Sequence, residues 1–445
     1  MKKQLVIGIV ILMGVFILVG CGESKKFKKD ETIVLKENKS VCDDILVESE
    51  EQDDYSRLYY YDYESESQVY ACSQANCNHD IGDFKSDKIN CNAIIEGEAK
   101  YPFIYNRRLY YFVGVGDTYT LWSSKTDGTD KKEVNELEFP IYVGGEYVLH
   151  GDKLFVASYK PVMTEYGTNR EEQTGADAEV YQINLSNGKV EKLTDFGNKA
   201  DAYCSSVQLF DNKLFIRYDS REKTYKDAGF KDVDHFMVWM ESDKFSYGEE
   251  IKRLQEKKEY YTYDLENKKT EKLDIGFESN FKPYKGIKNM DGAYWLLCYS
   301  NDTVYYLDAV VGKYNIYSYN IKTKKRKEIF GSFKNVDLYY DGKIYITSMD
   351  MNEKTKKELV PSVDFNKEPK YYIYDVSKDK MTRQSYGEKG KIFYAIDLNP
   401  KGLLMYDISF NEAYDSIDEH SITQISNNKI RMVIDNRFYQ KRLQN

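Results

Sequence analysis

The sequence predicts an all-β protein, a β-propeller built from four-stranded antiparallel blades. Three observations lead there. The 445 residues include 42 Tyr and 21 Phe against 7 Pro and 27 Gly, and aromatic residues favour half-buried pleated surfaces. Short runs alternate apolar with polar residues and are punctuated by Asn-Gly, Asn-Lys and Asp-Gly turns. One pattern then returns along the chain: a turn, a short strand, a connection, a Tyr-rich strand ending in Asp, a tight polar turn and a Lys- and Leu-rich strand. Four short strands repeated four to eight times describe a propeller.

The N-terminus comes first. Lys2 and Lys3 precede an apolar stretch from Val6 to Gly20, 15 residues long, short of the roughly 20 that span a bilayer as a helix. It ends Leu18-Val19-Gly20-Cys21, which resembles the lipobox of bacterial lipoproteins. That resemblance implies cleavage before Cys21, a lipid on its thiol and attachment at the outer face of the cell membrane. The expected organisation is therefore a signal peptide over residues 1–20, a lipidated tether over 21–40 and one propeller domain over 41–445.

Seven copies of the repeat follow. In the clearest, Asp211-Asn212 turns into Lys213-Leu214-Phe215-Ile216, and Tyr260 to Asp264 turns at Leu265 to Lys268 into Lys269 to Leu273. The others pair 44–48 with 57–72, 107–113 with 118–134, 151–157 with 179–193, 291–299 with 313–330, 341–347 with 370–384, and 401–408 with 421–434. Strand-like runs upstream of most copies, such as Val207 to Phe210 and Val336 to Tyr340, complete four strands each. If the first copy pairs with the C-terminal segment, the number of blades becomes six. The Leu109-Tyr110-Tyr111-Phe112 and Lys343-Ile344-Tyr345-Ile346 strands resemble those of the TolB-like and low-density-lipoprotein-receptor-like propellers. The Tyr-Trp-Thr-Asp signature of the receptor group is missing; Tyr294-Trp295-Leu296-Leu297 is the nearest approach.

Connections between second and third strands are expected to be long, at 160–178, 220–258, 301–312, 350–369 and 409–420, so that one end of the propeller is elaborated and the other plain. Variable loops on a rigid scaffold usually carry function. Within 221–258, Val233, Phe236, Met237 and Met240, then Ile251 and Leu254, recur at helical spacing and predict a small helical insertion.

Four cysteines fall early. Cys72-Ser73-Gln74-Ala75-Asn76-Cys77-Asn78-His79 is followed after 11 residues by Cys91, with Cys42 upstream. Three thiols and an imidazole match a tetrahedral structural zinc set. In an oxidising exterior the alternative is disulfides among Cys42, Cys72, Cys77 and Cys91, with three complete pairings, or a redox-active group. The spacing is similar to one in propeller lipoproteins of Gram-positive bacteria. Cys204 and Cys298 fall in strand patterns and read as buried thiols.

The net charge of −9 argues against nucleic acid as a partner, because phosphate binding needs clustered cations. No hydrolase motif, phosphate-binding glycine loop or EF-hand is present, and the four His lack triad context. His150 reads as a turn residue and His420 as a loop residue. No catalytic residue is named. The expected function is a surface module, lipid-anchored at Cys21, whose loops bind a protein, peptide or glycan. The alternatives are an exported carbohydrate-active or peptide-cleaving enzyme, or an accessory or sensory factor of a membrane complex.

Overall fold

The computed structural model describes residues 32–435 apart from 43–44, 53, 63–66, 80–90, 116–117, 167–169, 243–244, 246, 274–292, 311–312, 334, 341, 349–367, 385–390, 400–401, 411–416 and 427–428. Cys21 and most of the expected 350–369 connection lie outside these residues.

Strands β1 (Thr32–Lys36), β2 (Lys39–Cys42), β3 (Ile45–Gln52), β4 (Tyr55–Asp62), β5 (Ser67–Tyr70) and β6 (Ile94–Glu96) open the fold. Next come β7 (Glu98–Tyr105), β8 (Arg108–Val115), β9 (Thr118–Lys125) and β10 (Lys132–Glu136), a four-stranded antiparallel sheet. Strands β11 (Tyr147–His150), β12 (Lys153–Ala157), β15 (Val180–Asn184) and β16 (Val190–Lys192) enclose a separate hairpin, β13 (Lys160–Tyr166) and β14 (Arg170–Asp177). Strands β17 (Asp201–Phe210), β18 (Lys213–Arg221), β19 (Glu256–Asp264) and β20 (Lys269–Lys272) form the next sheet, with helices α1 (Val233–Met240) and α2 (Tyr247–Leu254) between β18 and β19. Three more four-stranded sheets follow: β21 (Ala293–Ser300) to β24 (Lys325–Phe333) through β22 (Thr303–Val310) and β23 (Lys313–Asn320); β25 (Asn335–Tyr340) to β28 (Lys380–Arg383) through β26 (Lys343–Ser348) and β27 (Lys370–Asp375); and β29 (Lys391–Asn399) to β32 (Lys429–Asp435) through β30 (Gly402–Phe410) and β31 (Ile417–Ser426). Repeated four-stranded meanders of this kind are propeller blades.

The repeat is chemical as well as topological. An Asp or Asn at or near the end of the third strand caps the turn that follows. Asn184 Oδ1 accepts from the Ser186 and Asn187 amides, Asp264 Oδ1 from Glu266 and Asn267, Asn320 Oδ1 from Thr323, and Asp375 Oδ1 from Lys378, at 2.8–3.1 Å. These side chains satisfy amides that a tight turn would leave exposed. First strands share a second device. β7, β17, β21, β25 and β29 each carry a register shift against their partner, the bend that lets a strand twist. Successive sheets touch through these strands, β17 against β21, β21 against β25 and β25 against β29.

Tyrosine serves the core as expected, but several hydroxyls are buried too. Tyr101 and Tyr147 are fully buried. Their hydroxyls donate to backbone carbonyls of Tyr142 and Gly145 (Tyr101, 3.2 Å each) and of Tyr142 (Tyr147, 2.5 Å), which offsets the desolvation.

Five expectations are corrected. Residues 32–40, assigned to the tether, already carry strand: β1 alternates exposed and buried positions, with Ile33 and Leu35 in the core. The β1–β2 hairpin joins β2–β5, with β6 beside β4, to β11, β12, β15 and β16 in one ten-stranded sheet. Residues 301–312 are not a long loop. Asn301 and Asp302, both at positive φ, make a tight turn into β22. Ser409 and Phe410 end β30, and Ile417 onward belongs to β31, so His420 is a strand residue opposite Ile408. The 160–178 connection is the β13–β14 hairpin. His150, expected in a turn, is the last residue of β11, paired with Thr32 and Lys153, and the turn begins after it at Gly151-Asp152.

Candidate metal centre

The link from β5 to β6 carries the cluster. Cys72, Cys77, His79 and Cys91 bring their ligand atoms within 4.8 Å of one another. His79 Nδ1 lies 3.4 Å from Cys91 Sγ. Zinc held by thiolate at about 2.3 Å and imidazole at about 2.0 Å requires donor atoms about 3.5–3.8 Å apart, so small inward movements close a tetrahedron. Cys42 is not in the group. It sits in the core on β2, where its sulfur accepts the Ile104 amide at 3.2 Å.

Backbone geometry aims the ligands. Asn76 and His79 adopt positive φ, 62° and 55°, turning the chain back between Cys72 and His79. The Cys77 amide donates to the Gln74 carbonyl. Amides of Gln74 and Asn92 donate to the Cys72 sulfur, and that of Ala93 donates to the Cys91 sulfur. Burial opposes ionisation of Cys72, but these amides and its thiol neighbours hold its pKa below the ordinary thiol value. Cys91 is pushed up to about 12, first by burial and then by the Cys77 and Cys72 sulfurs. Three crowded sulfurs cannot all ionise without a counter-charge.

Neighbouring side chains fix the surroundings. The His79 ring stacks on Tyr70 at 4.5 Å. Arg57 lies over the Tyr70 ring, donates from Nη1 to the His79 carbonyl at 2.8 Å and pairs with Glu50. From the next sheet, Lys131 Nζ donates to the Ile94 carbonyl at 3.2 Å. Burial lowers its pKa, and the Cys91 and Cys72 sulfurs oppose that shift. Gly128, in the β9–β10 turn at φ 73°, packs against the link. A Cβ there would overlap the Ala71 carbonyl oxygen and come within 2.6 Å of that of Asn92. Asp127 Oδ1 closes this turn by accepting from the Thr129 amide and hydroxyl.

Sequence reasoning found the four clustered residues and missed Arg57, Tyr70, Gly128 and Lys131. These come from strands and a turn that no local spacing ties to the cysteines. It also missed a half-buried group where two sheets meet. Tyr142 stacks on Tyr203 at 4.7 Å, and the Tyr159 hydroxyl reaches Asp201 at 3.4 Å. Buried Asp219 accepts from Ser205 at 2.6 Å and pairs with Arg217 at 3.0 Å. The other two sequence-predicted thiols are apart from the cluster: Cys204 and Cys298 are fully buried, each at the register shift of its first strand. Burial raises the Cys204 pKa far above the ordinary range.

No family model and no curated protein matches the chain. Solved structures do resemble it. The β-propeller domain of the trilobed protease from Pyrococcus furiosus aligns over 92% of this chain and 97% of its own, with 10% identity and a TM-score of 0.45. The acylaminoacyl peptidase of Pyrococcus horikoshii aligns over 94% of this chain and 55% of its own, with 11% identity and a TM-score of 0.48. TolB from Acinetobacter baumannii aligns over 87% of this chain and 81% of its own, with 14% identity and a TM-score of 0.28. The chain spans about half the length of the acylaminoacyl peptidases it resembles. The propeller class rests on the sheet order of this chain itself.

Proposed function

We propose that the protein is an exported lipoprotein, anchored through Cys21, whose seven-bladed propeller is a non-catalytic binding module at the cell surface. Five separate four-stranded sheets, plus the two four-stranded runs inside the ten-stranded sheet, support seven blades. One observation carries the binding role. The two elaborate insertions both leave a second strand and return to a third, which places them at the same end of adjacent blades. They are also linked. The Ala176 amide of the β13–β14 hairpin donates to Lys199, and Lys199 Nζ pairs with Glu222, which opens the helical insert, at 3.1 Å. Between them lie Tyr142, Tyr159, Tyr203 and Asp201, half-buried aromatic faces beside a carboxylate. Such a surface suits a glycan ring or a peptide side chain. Asp219 there pairs with Arg217 and accepts from Ser205, which fits positioning better than proton transfer.

The test joins anchor and ligand. Cys21→Ser is expected to move the protein from the membrane to the soluble fraction. Tyr203→Ala is expected to weaken retention on an array of cell-wall glycans and peptides by at least tenfold without changing the melting temperature. Turnover of an arrayed glycan or peptide would replace this reading with the enzyme alternative.

A further inference from the structure

We propose that Cys72, Cys77, His79 and Cys91 bind one zinc ion as a closed structural centre, with Lys131 as the cation that balances it. The thiols form an odd set. A disulfide within the cluster leaves one of the three sulfurs unpaired, and Cys42, the partner that would make the number even, is engaged elsewhere with the Ile104 amide. Amides from Gln74, Asn92 and Ala93 point at sulfur. Charge-assisted bonds of this kind reward thiolate, the form a metal holds, more than the nearly neutral sulfur of a disulfide. The imidazole belongs to the set as well. Its ring is stacked on Tyr70, its carbonyl is held by Arg57, and its Nδ1 faces Cys91. A disulfide gives no role to that orientation.

Charge completes the reasoning. On binding Zn²⁺ each of three thiols releases a proton to solvent, and the neutral imidazole adds none. The loaded centre then carries one net negative charge. Lys131 supplies the matching positive charge from the neighbouring sheet, positioned by its bond to the Ile94 carbonyl. With four protein ligands no coordination position stays open for substrate. The role is therefore to close the β5–β6 link on itself beside the β9–β10 turn, and it is independent of what the loop-bearing end binds.

The test uses the full chain in detergent, purified under oxidising conditions and weighed by native and denaturing mass spectrometry. The expected result is one zinc per chain, lost on denaturation, with Cys72, Cys77 and Cys91 then alkylated as free thiols. Replacement by Co²⁺ alone is expected to give the strong visible absorption of a tetrahedral thiolate site. Lys131→Met is expected to keep the zinc but lower its affinity by roughly tenfold. A chain lighter by two hydrogens, with a peptide cross-link between two of these cysteines and no metal, overturns the proposal. So does a fully reduced chain that takes up no Zn²⁺ on titration. Because these readouts use the unaltered chain, misfolding of a cysteine variant cannot blur them. Unchanged zinc affinity in Lys131→Met overturns the charge-balancing part.

Discussion

Two of the excursions between strands, the helical insert and the cysteine-bearing link, are held by different physics. The insert between β18 and β19 makes a core of its own. Phe230, Phe236 and Leu254 are buried, with Tyr225, Trp239 and Met240 packed against them. Arg253 lies over both the Phe230 and Trp239 rings. Among the described residues, the link between β5 and β6 has no such cluster around Cys72 to His79. Its apolar anchors, Ala71, Ala93 and Ile94, belong to the main core, and Cys72 to His79 present thiols, an imidazole and turn amides. A segment able to bury aromatic surface orders itself. A short polar segment needs a cross-link from outside the hydrophobic effect.

The comparison breaks most visibly at the metal. Stripping zinc with a chelator is expected to lower the apparent unfolding free energy by about 4 kcal/mol when free metal had stood a thousandfold above its dissociation constant. Hydrogen exchange should speed up in the 71–79 and 91–96 backbone and stay unchanged in α1 and α2. Equal acceleration in both regions would mean that the link is a general support and not a separately fastened element. Phe236→Ala is the mirror experiment. Loss of a buried Phe costs about 3 kcal/mol, and the expected damage is proteolytic nicking within 222–255 with zinc content unchanged.

Gly128→Ala sharpens the boundary between the link and its neighbour. Its positive φ disfavours any side chain, and the new methyl meets two carbonyl oxygens of the link. The expected cost is about 2 kcal/mol, from conformation and overpacking together. Calorimetry should show the loss, and zinc titration should show weaker binding, because the turn and the cysteines press on the same backbone. A stability loss without any change in zinc affinity would separate the two.

What the sequence revealed follows the same division. The helical insert was legible because Val233, Phe236, Met237 and Met240 recur at helical spacing, although of these Phe236 is buried and Met237 faces outward. The Cys/His group was legible because three of its four members sit within eight residues. Strand β22 was not. Val304, Tyr305, Tyr306 and Leu307 are all buried, because both faces of the strand pack, so no alternation marks it and it read as part of a loop. The β13–β14 hairpin was hidden for the opposite reason. Val162 and Met163 are exposed, and the hairpin is held by backbone pairing, which leaves no pattern in the sequence. Strand β1 does alternate, at Ile33 and Leu35, but it stands next to the polar stretch expected of a tether. The sulfur-directed amides and Lys131 were out of reach because each depends on where a distant turn is placed.

The smallest effect tests the insert's entry. Asp232 caps α1: its Oδ1 accepts the His235 amide at 2.9 Å and the His235 ring at 2.6 Å. The ring contact first, and the amide second, hold its carboxyl below the ordinary Asp range. A depressed carboxyl contributes stability that is fully present above the unfolded Asp value and is lost as pH falls through the folded one. Wild-type α1 is therefore expected to fray in hydrogen exchange as pH drops from about 5 to about 2. Asp232→Asn keeps an oxygen for the cap and removes the charge, so its protection should be slightly lower at neutral pH and flat through the acid range. The aromatic core of the insert is untouched by that change. Loss of the whole insert in Asp232→Asn would show that the cap, and not Phe230, Phe236 and Leu254, holds it together, and the contrast with the metal-fastened link would then fail.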